Sequence, residues 1–220
     1  LQFWFNRHRC HSLPMIALQY HEVKIHVTFR RESEFIIAKA GGAAQGGTIK
    51  DASLLVDYVF LDTAERRMFA QQPHEYLLDQ LQYVGSNHLA DTATSTPIIL
   101  NFNHPVKELI FVLQQQAKIA AGELFDYSAP GGKEPLKKAK LQLNGHSRFE
   151  DLPAKYFRVL APYKHHTRIP KRFIYVFSFA AHPETYEPTG SCNFSRIDTV
   201  TLVLEHEQFA GEARAYARSV

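Results

Sequence analysis

Twelve histidines, two cysteines and 22 acidic residues make metal ligation the first chemistry to weigh. The run HEVKIH (21–26) places His21 and His26 five apart. A zinc-binding helix needs its histidines four apart, and on a strand an odd separation turns them to opposite faces. His8, Cys10 and His11 are soft ligands, but a structural zinc wants four and no second pair follows at a suitable spacing. His165-His166 and Glu205-His206-Glu207 are the nearest material for a metal held inside a β barrel. Adjacent strand residues point to opposite faces, so neither group can chelate as a unit. Gly41-Gly42 and Gly46-Gly47 lack the Gly-Lys-Ser/Thr that completes a phosphate loop. Asn193-Phe194-Ser195 is a glycosylation sequon, but its place just before a strand reads better as a turn, with Arg196 pairing to Asp198 or a neighbouring carboxylate. No catalytic, cofactor-binding or metal residue is therefore assigned, and no cofactor is expected.

What these residues sit on is mostly strand. Residues 173–180 (FIYVFSFA) form a β-branched and aromatic run that reads as a strand covered on both faces. Pro183, Pro188 and Gly190 interrupt it, and Val200, Leu202 and Leu204 open a second strand that the pattern pairs with the first. Residues 20–30 alternate Val23, Ile25, Val27 and Phe29 with polar neighbours, as in a sheet with one wet face. Residues 53–61 repeat that pattern, and the glycine-rich 39–50 read as a loop. Further strands are expected at 75–84 (where a helix also fits), 98–102, 108–113, 138–143 and 213–220. Asn144-Gly145 signals a tight hairpin. Asp62 with Glu65 makes a capping-box start for a short helix ending before Pro73, and 153–160 read as a helix closed by Pro162. Short strands at near-even spacing predict an all-β antiparallel sandwich of jelly-roll type over 75–220.

Composition narrows the function classes. Aromatics at 12% lean towards β structure. A net charge of only +3, interspersed, gives no stripe for a phosphate backbone, so direct nucleic-acid binding is not expected. Two cysteines, Cys10 and Cys192, make no disulfide framework. No apolar run approaches the length of a membrane span. The chain begins at Leu1 in what reads as mid-strand and stops at Val220 without a stop signal, so both ends read as cut.

Several long segments then resemble one family. LPMIALQYHEVKIHVTF (13–29), VDYVFLDTAERRMFAQQPHEYLLDQLQ (56–82), LNFNHPVKELI (100–110), LNGHSRF (143–149), YFRVLAPYKHHTRIP (156–170) and PTGSCNFSRIDTVTL (188–202) resemble the major capsid proteins of nucleocytoplasmic large DNA viruses, nearest the iridovirus and algal-virus branches. The resemblance implies two tandem jelly rolls. Residues 1–62 would be closing strands of the first, 63–74 a linker helix and 75–220 the second, its final strand cut short. It further implies a homotrimeric, pseudo-hexagonal capsomer in an icosahedral shell, without catalysis. Minor capsid and penton proteins and an internal viral membrane would lie nearby, with no small-molecule substrate. The place would be the virion, assembled in the host cytoplasm. Loops 114–136 and 181–192 are the expected contact surfaces. A jelly-roll carbohydrate-binding module and a cupin-like metal protein are the rival readings.

Overall fold

A computed structural model describes residues 3–29 and 47–220. It divides into two compact units, Leu1–Leu78 and Asp79–Val220.

In the first unit, Trp4–Asn6 and Arg9–His11 are single 3₁₀ turns rather than the strand expected at the start. Helix α1, Thr63–Gln71, begins as its sequence requires. The Asp62 carboxylate accepts from the Glu65 N–H at 2.8 Å, and Glu65 returns the bond to the Asp62 N–H at 3.3 Å. The strands expected at 20–30 and 53–61 are not formed among the described residues. Tyr20 lies in a turn, and 22–29 and 47–61 carry no ladder. A strand needs both a hydrogen-bonded neighbour and a surface for its apolar face. Here Phe29 is 57% exposed and Phe60 is 92% exposed, so neither is supplied. Most of the glycine-rich 39–50 lies outside the described residues.

The second unit is a two-sheet sandwich. Its strands are β1 Gln80–Leu89, β2 Ser95–Ile99, β3 Pro105–Gln115, β4 Leu136–Leu143, β5 His146–Pro153, β6 Tyr175–Ser178, β7 Cys192–Asn193, β8 Val200–His206 and β9 Gly211–Ser219. One sheet runs β1-β9-β3-β6, with two-residue β7 beside the start of β3; the other runs β2-β8-β4-β5. All pairs are antiparallel. Strands distant in sequence lie side by side and each sheet draws from both ends of the unit, as in the jelly roll the pattern predicted.

Period-2 patterning explains the core. In β9 every second residue is buried: Ala213, Ala215 and Ala217 point inward while Arg214, Tyr216 and Arg218 do not. The small alanines face Leu109, Phe111 and Leu113 of β3, and the opposite sheet contributes Ile98, Leu141, Leu202 and Leu204. The β4–β5 hairpin turns at Asn144 (φ 49°) and Gly145 (φ 80°), the two left-handed positions that Asn-Gly favours.

Three expectations change. Residues 173–180 and 200–204 are not partners. β6 pairs with β3, whereas β8 lies in the other sheet between β2 and β4. The stretch 179–199 therefore crosses between sheets. β9 is an interior strand with neighbours along both sides, not an open edge. The helix does not close at Pro162. A π-helical turn, Tyr156–Leu160, runs into α-helix Ala161–His165, which carries Pro162 near its start.

Gly211 starts β9 where a Cβ would lie 2.2 Å from the Gln114 carbonyl oxygen. That oxygen belongs to the β3 backbone and cannot swing aside. Gly211→Ala should cost about 3 kcal/mol, the upper end for overpacking, read as a lower urea midpoint with unchanged slope.

Candidate assembly surfaces and the charges beneath them

The long connections are tied down from below. The one after β3 spans 116–135 and holds helix α2, Gln116–Ala120, and a 3₁₀ turn, Pro130–Gly132. Two buried glutamines at the end of β3 staple it. The Gln114 amide donates to the Leu124 carbonyl at 2.8 Å, and the Gln115 amide donates to the Ser128 carbonyl. Lys118 closes it outside, with Nζ 2.5 Å from Glu123 and 3.0 Å from Asp126. The Asp126 carboxyl is drawn down from 3.8 to about 2, first by its bond to Lys118 and then by bonds from Ser128. A depressed carboxyl stabilises fully above its ordinary value and ceases to do so as pH falls through the folded one. Wild type should therefore be more stable than Asp126→Asn above pH 4, and the gap in Tm should close towards about pH 2.

The second connection, 179–199, rests on a chain of buried charges. Lys107 on β3 is fully buried. Its ammonium donates to Asp79 Oδ1 at 3.1 Å and to the Thr185 carbonyl at 2.8 Å. Asp79 Oδ2 accepts from Arg218 Nη2 at 2.6 Å. Arg218 reaches Glu108 Oε1 at 3.6 Å, and Glu108 Oε2 lies 2.7 Å from His166 Nε2. The array joins the lead-in to β1, two central strands and both connections flanking β6. Lysine inside PVKELIF reads as a solvent-facing strand residue. Its carboxylate partner stands 28 residues away, so only the sheet register reveals the pairing.

The histidines weighed as ligands inside a barrel are engaged otherwise. His165 Nδ1 lies 2.9 Å from the Ala181 carbonyl. Buried His206 has Nε2 at 2.9 Å from Thr96 Oγ1 and Nδ1 at 2.7 Å from the Glu207 carbonyl. Among the described residues, no three His, Cys, Asp or Glu side chains are arranged to hold a metal. Cys10 is exposed and Cys192 half-buried, both as free thiols, and burial pushes the Cys192 thiol up. The sequon builds a turn: Asn193 Oδ1 accepts from the Ser195 N–H at 3.0 Å, and Ser195 Oγ accepts from the His104 N–H at 2.8 Å.

The described geometry is thus a scaffold with braced loops, and comparison with known proteins agrees. The family described as large eukaryotic DNA virus major capsid protein matches residues 65–218, and that described as major capsid protein N-terminus matches residues 1–62. The chain belongs to the major capsid protein family of large eukaryotic DNA viruses. It is 42% identical to the major capsid protein of Pyramimonas orientalis virus, over 93% of this chain and 52% of that protein. It is 37% identical to that of Paramecium bursaria Chlorella virus 1, over 99% of this chain and 56% of that protein. Among solved structures it resembles the quasi-atomic model of the PBCV-1 virus capsid. The TM-score is 0.61 at 30% identity, covering 73% of this chain and 51% of that one. The chain spans about half the length of the curated relatives it matches.

Proposed function

We propose that this chain forms part of a viral shell subunit whose work is self-association rather than catalysis. The observation that carries the reading is the two-sheet fold's similarity to a virus capsid, at a TM-score of 0.61 and 30% identity. In this reading residues 1–62 are the closing strands of a first jelly roll, 63–74 a linker helix and 75–220 a second jelly roll. The exposed Leu54, Val56, Tyr58 and Phe60 support it, because apolar side chains alternating along unpaired segments are what strands of an incomplete sheet leave uncovered.

Three subunits then make a pseudo-hexagonal capsomer, and capsomers tile an icosahedral shell in the virion. Minor capsid and penton proteins and an internal membrane adjoin it, and assembly proceeds in the host cytoplasm. Obligate interfaces of this kind bury on the order of 2,000–5,000 Å². The ends of a braced sandwich supply such area without reordering, which keeps the entropic cost of association low. Loops 114–136 and 181–192 are the contact surfaces.

Two measurements test this. Light scattering on the protein expressed with its flanking coding sequence should return three times the chain mass at micromolar concentration. Antibodies raised against the 220-residue chain should decorate purified virions in electron micrographs. A monomer, or undecorated particles, would refute the reading.

A further inference from the structure

The connection between β5 and β6 carries a feature that bracing the sandwich does not require. Residues 152–183 hold six Lys and Arg and no Asp or Glu. Arg158 is used internally, donating to Glu134 at 2.7 Å beneath the Phe173 ring. Arg172 donates to the Phe125 carbonyl at 2.5 Å. The other four, Lys155, Lys164, Arg168 and Lys171, are exposed, and among the described residues none has a carboxylate within salt-bridge reach. Glu184, just beyond the stretch, is engaged by backbone: its carboxylate accepts from the Thr167 N–H at 2.9 Å.

An apolar groove at the start of this stretch is lined by Pro153, Lys155, Tyr156, Val159, Leu160 and Tyr163, and Lys164 follows its last lining residue. Positions 156, 159, 160 and 163 fall on one helical face. The opposite face, Ala154, Phe157, Ala161 and Pro162, is already buried in the sandwich, so this stripe is not turned outward by a misplaced helix. Tyr163 is 74% exposed.

We propose that this groove docks an acidic segment of a partner protein that carries an apolar anchor. Anchor side chains would fill the groove, while Asp and Glu around them meet the four unpaired cations. Charge of one sign selects the partner's sign, and the apolar lining supplies affinity that charge alone lacks. An interfacial helix lays its whole apolar face into lipid, whereas here one face of the helix is already buried in the sandwich. A polyanionic nucleic acid or glycan would use the cations but leave the aliphatic lining empty.

A displayed library of random peptides of about 16 residues, selected on the purified protein, supplies the probe. Expected is enrichment of acidic peptides with Leu, Phe or Ile anchors, binding one per chain and weakening as salt rises from about 50 to about 300 mM. Leu160→Ser with Tyr163→Ser, and separately Lys164→Glu with Lys171→Glu, should each weaken that binding by roughly tenfold or more. Because these side chains are exposed, the thermal unfolding midpoint should not move, which separates lost docking from lost folding. Failure to enrich such peptides overturns the proposal, as does equal binding of an anchorless acidic peptide. Binding to phosphatidylserine vesicles abolished by the same variants would assign the surface to lipid instead. Loss of self-association in the variants would assign it to a second copy of the chain.

Discussion

Replacing Asp79 by alanine should lower the unfolding free energy of the sandwich by about 3–5 kcal/mol. Two cations share that carboxylate, fully buried Lys107 at 3.1 Å and part-exposed Arg218 at 2.6 Å. With it gone, the ammonium of Lys107 keeps the Thr185 carbonyl but, among the described residues, no carboxylate within salt-bridge reach. Burying a charge without a partner costs several kcal/mol, because hydration is lost and nothing replaces it. The loss is a large part of a domain's total stability, which is typically about 5–15 kcal/mol. Connection 179–199 should loosen too, since Lys107 tethers it through Thr185. Urea denaturation checks the first effect, and hydrogen exchange at 181–190 checks the second.

The companion variant discriminates. If the cost comes from an orphaned charge, Asp79→Ala combined with Lys107→Met should recover more than half of it, because an apolar side chain of similar length fits a dry site. If the double variant is no better than the single one, the array works as a hydrogen-bonded frame. Stability would then depend on Arg218 and Glu108 as much as on Lys107.

The sandwich was legible in its periods. GEARAYARS alternates small and large residues as only a half-buried strand does, Asn-Gly marked its hairpin, and Asp62 with Glu65 marked helix α1. Partnership was not legible. Residues 173–180 and 200–204 are neighbours in sequence and strong strands, yet a long connection lets them enter opposite sheets. Strand pattern fixes which face is buried, not which strand lies alongside. β5 escaped notice because HSRFEDLP is polar along an edge, with only Phe149 and Leu152 turned towards the core. The buried array escaped for the same reason as the pairing: Asp79, Lys107, His166 and Arg218 converge only once four segments are in register. The family resemblance reached further than any of these, because collinear long matches carry tertiary information that single motifs lack.

Phe157→Ala should be the most damaging core truncation, at about 3–5 kcal/mol. The ring is fully buried where the helical stretch meets the edge strands of both sheets. Its centroid lies 5.6 Å from Phe111 on β3, 5.6 Å from Phe149 on β5 and 5.2 Å from Tyr156. Such aromatic contacts add to simple area burial, so the loss exceeds that of an isolated apolar side chain. The site also resists collapse. Its walls are β-sheet ladders on two sides, and the helix above is held by Arg158 to Glu134 and by His165 to the Ala181 carbonyl. A cavity whose walls cannot close retains its full cost. Phe157→Leu, which refills much of the space, should recover at least half. A near-neutral Phe157→Ala would mean the helix does not depend on this anchor. The measurable consequence beyond stability lies on the outer face of that helix. Val159, Leu160 and Tyr163 keep their spacing only while Phe157 pins the inner one, so limited proteolysis should cut within 154–165 in Phe157→Ala well before wild type.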